Sequence, residues 1–359
     1  MGLKKLIAGC GLIAFSLSCH NIKPTQELNN ERKVVTTIDH YVQHGTDLKC
    51  KDVAKVTHKG FDIYACESDL NQELIQNFEF VADIKEFGNK NIGLVKSKNY
   101  QVYKNRKTEN PKTLYWLYVT KKFYVPKKRD NWRVITEEGW HIDKVDKFAL
   151  FTSRVDDLKD EKQHFESLGY DVYWRKITNF ANNCDLEPGF FKRTKIRQAD
   201  TILHEELHMT VDEKDWDLNL EESIACLIGK IGAMEYFKDK FGEDSKEYQL
   251  AKCELNLKMS TSEFLVDINN QLNKLYASDL STKEKLKKKK EIFENFPYSI
   301  KNNANLWDSL PYDKHFPLVY KVYQKYPKFK DLVKILKNMP KEEEKGKEYL
   351  KQIISQDTP

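Results

Sequence analysis

The sequence predicts an α+β protein that is mostly helical, with a small mixed sheet placed before its long helical part. Three observations lead there. The stretches "NIGLVKSKNYQVY", "TLYWLYVTKKFYV" and "YDVYWRKIT" are rich in aromatic and β-branched side chains, the composition of strands. From Lys195 onward, apolar residues recur at helical spacing almost without a break. The chain has 359 residues, 40% of them hydrophobic and 12% aromatic, enough for a substantial core and far from a disordered composition.

Taken in order, the chain opens with "MGLKKLIAGCGLIAFSLSC": a short basic start, an apolar run from Leu6 to Leu17, then Ser18 before Cys19. Residues 1–18 read as a secretory signal peptide, because the run is shorter than the ~20 helical residues that cross a bilayer. The small residue before Cys19 resembles the lipobox of bacterial lipoproteins, in which this cysteine carries the lipid and becomes the new N-terminus. Two alternatives stand beside it: lipidation at Cys10 behind "IAGC", and plain cleavage after Ser18. Residues 19–32 then form a flexible tether, and 33–359 a single domain in an exported, bacterial envelope protein lipid-anchored to a membrane. Without Cys10 and Cys19, five cysteines remain, so at least one thiol is unpaired in an oxidising compartment; Cys50 and Cys66 are close enough in sequence to bridge. Cys226, inside an apolar helical stretch, reads as a buried thiol acting as a small hydrophobe.

The first helix runs from about Asp69 to Phe87, with Leu70, Leu74, Ile75, Phe78, Val81 and Ile84 on one face and Gly88 ending it. A second runs from Arg154 to Leu168. The helical part follows: the stretch around residues 201–211, a helix over 220–237, a long pair between Ser245 and Phe296, and short C-terminal helices. The net charge of +5 is too small for a nucleic-acid partner. The lysine run "KEKLKKKKE" reads as a solvated helix face and "LYWLYV" as strand core.

The chemistry is carried by "TILHEELHMTV". On a helix, positions four apart share a face, so His204 and His208 can turn ring nitrogens toward one ion. Glu205 adjoins them on a neighbouring face, where its carboxylate can take a proton from water activated by that ion; its role is general base. Ile202, Leu203, Leu207 and Val211 supply apolar packing around these groups. Catalytic zinc takes three protein ligands and keeps one position open. The third donor is sought in "LEESIACLIGKIGA", a helix with Glu221 and Glu222 at its start, whose Ala225 and Gly229 are small enough to admit the motif helix closely. Glu222 is chosen over Glu221 because a glutamate followed three places later by alanine resembles the second-helix signature of gluzincin metallopeptidases. Glu221 receives no metal role.

The blocks "HFESLGYDVYWRKITNF", "EPGFFKR", "ADTILHEELH", "LEESIACLIGKIGA" and "NNANL" together resemble the bacterial predicted-aminopeptidase lipoprotein family over roughly residues 75–325. The resemblance implies a zincin-like metallopeptidase core and one Zn2+ per chain, held by His204, His208 and Glu222. It also implies a peptide substrate and a membrane partner through the lipid anchor. Departures from the family pattern, "NFANN" and Glu187-Pro188 before the motif, bear on substrate preference. By similarity to gluzincins, "YDVYWRKIT" would line the substrate cleft, with Tyr173 offered as the oxyanion stabiliser. The rival from another class is a catalytically silent lipoprotein whose zinc only staples two helices; hydrolysis of a non-peptide amide is a third reading.

Overall fold

The structure, a computed structural model, describes residues 32–35, 48, 50, 52–105, 115–125, 132–134, 147–152, 155–176, 184–211, 217–296 and 300–356. The signal segment, Cys10, Cys19 and all of the tether before Arg32 lie outside these residues. No helix among the described residues is long and apolar enough to cross a membrane.

The architecture is α+β, mostly helical, with two small sheets. The first sheet joins β1 (Arg32–Val35), β2 (Val53–His58) and β3 (Phe61–Cys66), each antiparallel to its neighbour. A disulfide between Cys50 and Cys66, with Cα atoms 5.8 Å apart, ties the approach to β2 to the end of β3. Cys184 and Cys226 carry thiols. Helix α1 (Gln72–Phe87) starts where the Asn71 side chain accepts from Leu74 N at 2.8 Å. It buries the predicted stripe of Leu74, Phe78, Val81 and Ile84 in the main core.

The second sheet has strand order β5 (Trp132–Val134), β6 (Lys147–Thr152), β4 (Tyr115–Thr120), β7 (Asp171–Lys176). Its pairings are antiparallel except for β5 with β6, so the predicted mixed sheet is present. Alternation along β4 sorts the side chains onto two faces. Leu117 and Val119, with Val172, pack against Leu158 and Phe165 of α2 (Val155–Ser167). Tyr118, with Trp116 and Tyr173, packs against Ala304 and Trp307 of α8 (Asn303–Asp313).

A one-turn helix, α3 (Pro188–Phe191), leads into the two central helices, α4 (Lys195–Val211) and α5 (Leu218–Phe241). Helix α5 is buried on most of its circumference, as a helix at the centre of a bundle must be. Helices α6 (Lys246–Ala277) and α7 (Thr282–Glu294) correspond to the long pair expected from the sequence. Helix α7 opens with a complete capping box between Ser281 and Glu284. The chain ends in α9 (Phe316–Lys325), α10 (Phe329–Lys337) and α11 (Glu343–Ser355). Gly346 of α11 packs so closely on Leu220 at the start of α5 that a Cβ there would lie 2.6 Å from Leu220 Cδ2.

Two expectations are corrected. The stretch "NIGLVKSKNYQVY" is not a strand: a π-turn spans Gly88–Ile92, and only isolated bridges at Val102 and Tyr103 follow. Its carbonyls have another use. The buried ammonium of Lys85 donates to Ser97 O at 3.2 Å and Asn99 O at 2.5 Å, besides pairing with Glu206 at 2.8 Å, and Tyr100 adopts a left-handed φ of 63°. The backbone here wraps a charge rather than joining a ladder. In the lysine run, Lys289 turns inward to pair with Asp171, while Lys283, Lys287, Lys288 and Lys290 stay exposed.

Candidate metal centre and active-site cavity

The site is built where α4 and α5 pack together. Their close approach depends on Gly229: a Cβ at that position would stand 2.5 Å from Asp200 Oδ1, 2.7 Å from Asp200 O and 3.3 Å from His204 Cβ. Gly229, one of the two small residues singled out in the sequence, thus admits the motif helix as expected. The turn at the start of α5 is fixed by Asp217, whose side chain accepts from Asn219 N at 3.1 Å, and it carries Glu221 and Glu222.

His204, His208 and Glu222 converge, with one ligand atom of each lying within 4.8 Å of the others. The two Nε2 atoms are 3.2 Å apart, and Glu222 Oε2 stands 3.3 Å from His204 Nε2 and 3.6 Å from His208 Nε2. That carboxylate oxygen is buried and makes no hydrogen bond. An anionic oxygen out of water with no donor is costly, and a cation between it and the two ring nitrogens removes the cost. The donor set of two imidazoles and one carboxylate is one that zinc takes. The residues present therefore fit a metal ion.

The electrostatics agree. Burial pushes the Glu222 carboxyl up, but the two imidazoles beside it outweigh burial and hold it well below the usual carboxylate range. Burial works the other way on His208, where Glu221 and Glu222 overcome it and raise the ring to about 9. His204 is raised well above its ordinary value against burial by Cys226 and Glu222. This pocket favours positive charge.

His208 is also held from behind. His208 Nδ1 faces Glu221 Oε1 at 2.6 Å, the arrangement in which a carboxylate fixes the tautomer and orientation of a metal-ligating ring. Glu221 therefore does have a part at the site, contrary to the sequence reading, while Cys226 carries a free thiol, half-buried against the main core at the cavity wall.

Glu205 lies beside the cluster, 8% exposed, with its carboxyl pushed up chiefly by burial. A raised carboxyl is suited to accepting a proton near neutral pH. It opens onto a cavity of about 240 Å³ walled by α4, α5, α8 and the sheet. Arg175 of β7, the strand expected to line a substrate cleft, and Trp116 of β4 line this cavity. Tyr173 does not reach it; its ring stacks on Tyr118 at 6.4 Å under α8. Tyr312 does line the cavity, with its ring 6.4 Å from that of His204. Sequence reasoning missed Arg175, Trp116 and Tyr312, which come from three elements far apart in the chain.

The fold and site define a helical α+β protein with a His–His–Glu cluster able to hold a metal ion beside a partly open cavity. The chain belongs to the family described as "Putative aminopeptidase", whose model matches residues 62–316. No curated protein and no solved structure matches it.

Proposed function

We propose that the protein is a zinc-dependent peptidase of this family, with His204, His208 and Glu222 as metal ligands and Glu205 as general base. The observation that carries the reading is Glu222 Oε2, buried without a hydrogen-bond partner between two imidazoles, one helical face away from a second buried carboxylate. Zinc, when bound, would supply a Lewis acid and an activated water.

The chain's own residues supply the rest. Glu221 holds the His208 ring in orientation. Glu205 takes the proton of the attacking water and returns it to the leaving amine. Tyr312, in place of Tyr173, is the cavity-lining hydroxyl that can donate to the developing oxyanion.

The deciding experiment compares zinc-loaded wild type with Glu205→Gln on a mixed peptide library. Zinc content and fold should be equal, and hydrolysis should fall by about a hundred- to ten-thousandfold in the variant. Equal cleavage by the two would sink the mechanism. Export and lipid anchoring at Cys19 belong to the same proposal, read from the N-terminal sequence alone; labelled fatty acid should enter wild type and be absent from Cys19→Ala.

A further inference from the structure

Three cations line the cavity, Arg175, Arg193 and Lys230, and they are not equivalent. Lys230 is held between Asp200 at 2.7 Å and Glu254 at 3.1 Å, so that corner carries more negative charge than positive. Arg193 lies over the Phe190 ring at 5.4 Å and bears on Glu205, countering the effect of burial on the base. Arg175 is different. It meets Asp308 through Nε at 2.8 Å, with its guanidinium carbon 5.1 Å from the centre of the Trp116 ring.

A guanidinium fixed through Nε and stacked on an indole has its side-chain freedom already removed. The ion pair with Asp308 uses Nε, which leaves the two terminal nitrogens of the fork for the cavity that Arg175 lines. Two parallel N–H donors in one plane match the oxygens of a carboxylate. A substrate ammonium would need a lining carboxylate instead. Of the two present, Asp200 is held by Lys230, and Glu205 is committed to proton transfer.

The geometry points to Arg175 as the specificity-determining residue, recognising a substrate carboxylate. The substrate class is then short peptides that bring a free C-terminal carboxylate, or the side chain of an aspartate or glutamate, to the β7 side of the cavity. This rests on the peptidase reading for the metal and base, but the binding site can be tested apart from it. A cavity of about 240 Å³ suits the end of a peptide rather than the middle of a folded chain.

The test uses zinc-loaded Glu205→Gln protein, which binds without turning over, titrated by calorimetry with trialanine, trialanine amide and the amide of Ala-Ala-Glu. Trialanine should bind at least about tenfold more tightly than its amide, the scale of one hydrogen-bonded ion pair. Arg175→Met in the same background should abolish that preference, whereas Arg193→Met should keep it. Arg175→Lys retains a charge for Asp308 but loses the fork. It should also lose most of the preference while melting close to the parent, which a merely structural role for Arg175 would not produce.

If Ala-Ala-Glu amide binds as tightly as trialanine, the acidic side chain is the source recognised; if it binds like trialanine amide, the C-terminus is. Equal binding of acid and amide peptides, or a preference that survives in Arg175→Met, overturns the proposal. In turnover, Arg175→Lys should raise KM for free-acid peptides with little change in kcat. A kcat loss shared equally by acids and amides would place Arg175 in the chemistry and overturn it too. A wild type that cleaves no peptide but keeps the acid preference would sink the peptidase reading and leave this site standing.

Discussion

Glu221 Oε1 stands 2.6 Å from Nδ1 of His208, behind the ring whose Nε2 faces His204 and Glu222. The two adjacent glutamates of α5 therefore serve one histidine from opposite sides. Glu222 meets the ligating nitrogen, and Glu221 fixes which nitrogen that is. The neighbour that looked redundant in sequence is the orienting partner.

Substituting Glu221 is therefore expected to weaken zinc binding without abolishing it. Outer carboxylates on metal-ligating histidines are typically worth about 10- to 100-fold in affinity. Glu221→Ala should fall in that range by competition with a chelator, while Glu221→Asp, one methylene shorter, should fall between it and wild type. An unchanged zinc affinity in Glu221→Ala would remove the orienting role.

Glu222 and His208 are expected to behave more severely. Purified wild type should hold about one zinc per chain, as a three-ligand site with one open position implies. Elemental analysis of His208→Ala and Glu222→Ala should show most of it gone. Zinc retained in full by either variant would mean the ligand set is drawn from other residues.

What could be read from the sequence followed what is local to a helix. His204 and His208 are on one face because of their spacing, and Glu222 and Gly229 fall where α5 meets that face. The two-glutamate ambiguity was harder. Consecutive helical residues point about 100° apart, so only one of Glu221 and Glu222 can enter the cluster, but whether the other reaches the back of His208 depends on how the helices cross. Arg175, Trp116 and Tyr312 meet only because β7, β4 and α8 converge on the cavity, which no local spacing encodes. The misread stretch at residues 91–103 failed for a related reason: its partner is the Lys85 ammonium of α1, and sequence patterning carries no sign of a buried charge that draws carbonyls away from a ladder.

The α4–α5 contact should be intolerant of a single methyl. Alanine at Gly229 would set its Cβ 2.5 Å from Asp200 Oδ1 and 2.7 Å from the Asp200 carbonyl, and the backbone atom cannot swing aside. Overpacking of this kind costs about 1–3 kcal/mol. Gly229→Ala should lower the melting temperature and weaken zinc binding together, because the shift separates the helix carrying Glu222 from the one carrying both histidines. Gly189→Ala, where a Cβ meets nothing within 4 Å, is the control and should melt like wild type. If Gly229→Ala does so too, the close approach is not what holds the site.

Acid should loosen the support behind α5 in a defined pH window. Glu343, at the start of α11 and 8% exposed, lies with Oε1 2.7 Å from His315 Nε2 and pairs with Lys314. Burial pushes its carboxyl up, but the hydrogen bonds from His315 and Lys314 overcome that and bring it to about 2, against an ordinary value of 4.5. With the folded value depressed, the contribution is complete above about pH 4.5, where the carboxylate is ionised in both states. Below that the unfolded chain takes up the proton first, so stability falls until about pH 2, where both states are protonated. Because Asp217 N donates to Lys341 O at 3.0 Å and Gly346 packs on Leu220, this latch supports the turn that presents Glu221 and Glu222. Denaturant unfolding of metal-free protein at a series of pH values should show Glu343→Gln less stable than wild type at neutral pH, with the gap closing between about pH 4.5 and 2. A gap that stays constant across that window would mean the carboxylate of Glu343 is not the group whose charge holds α11 in place.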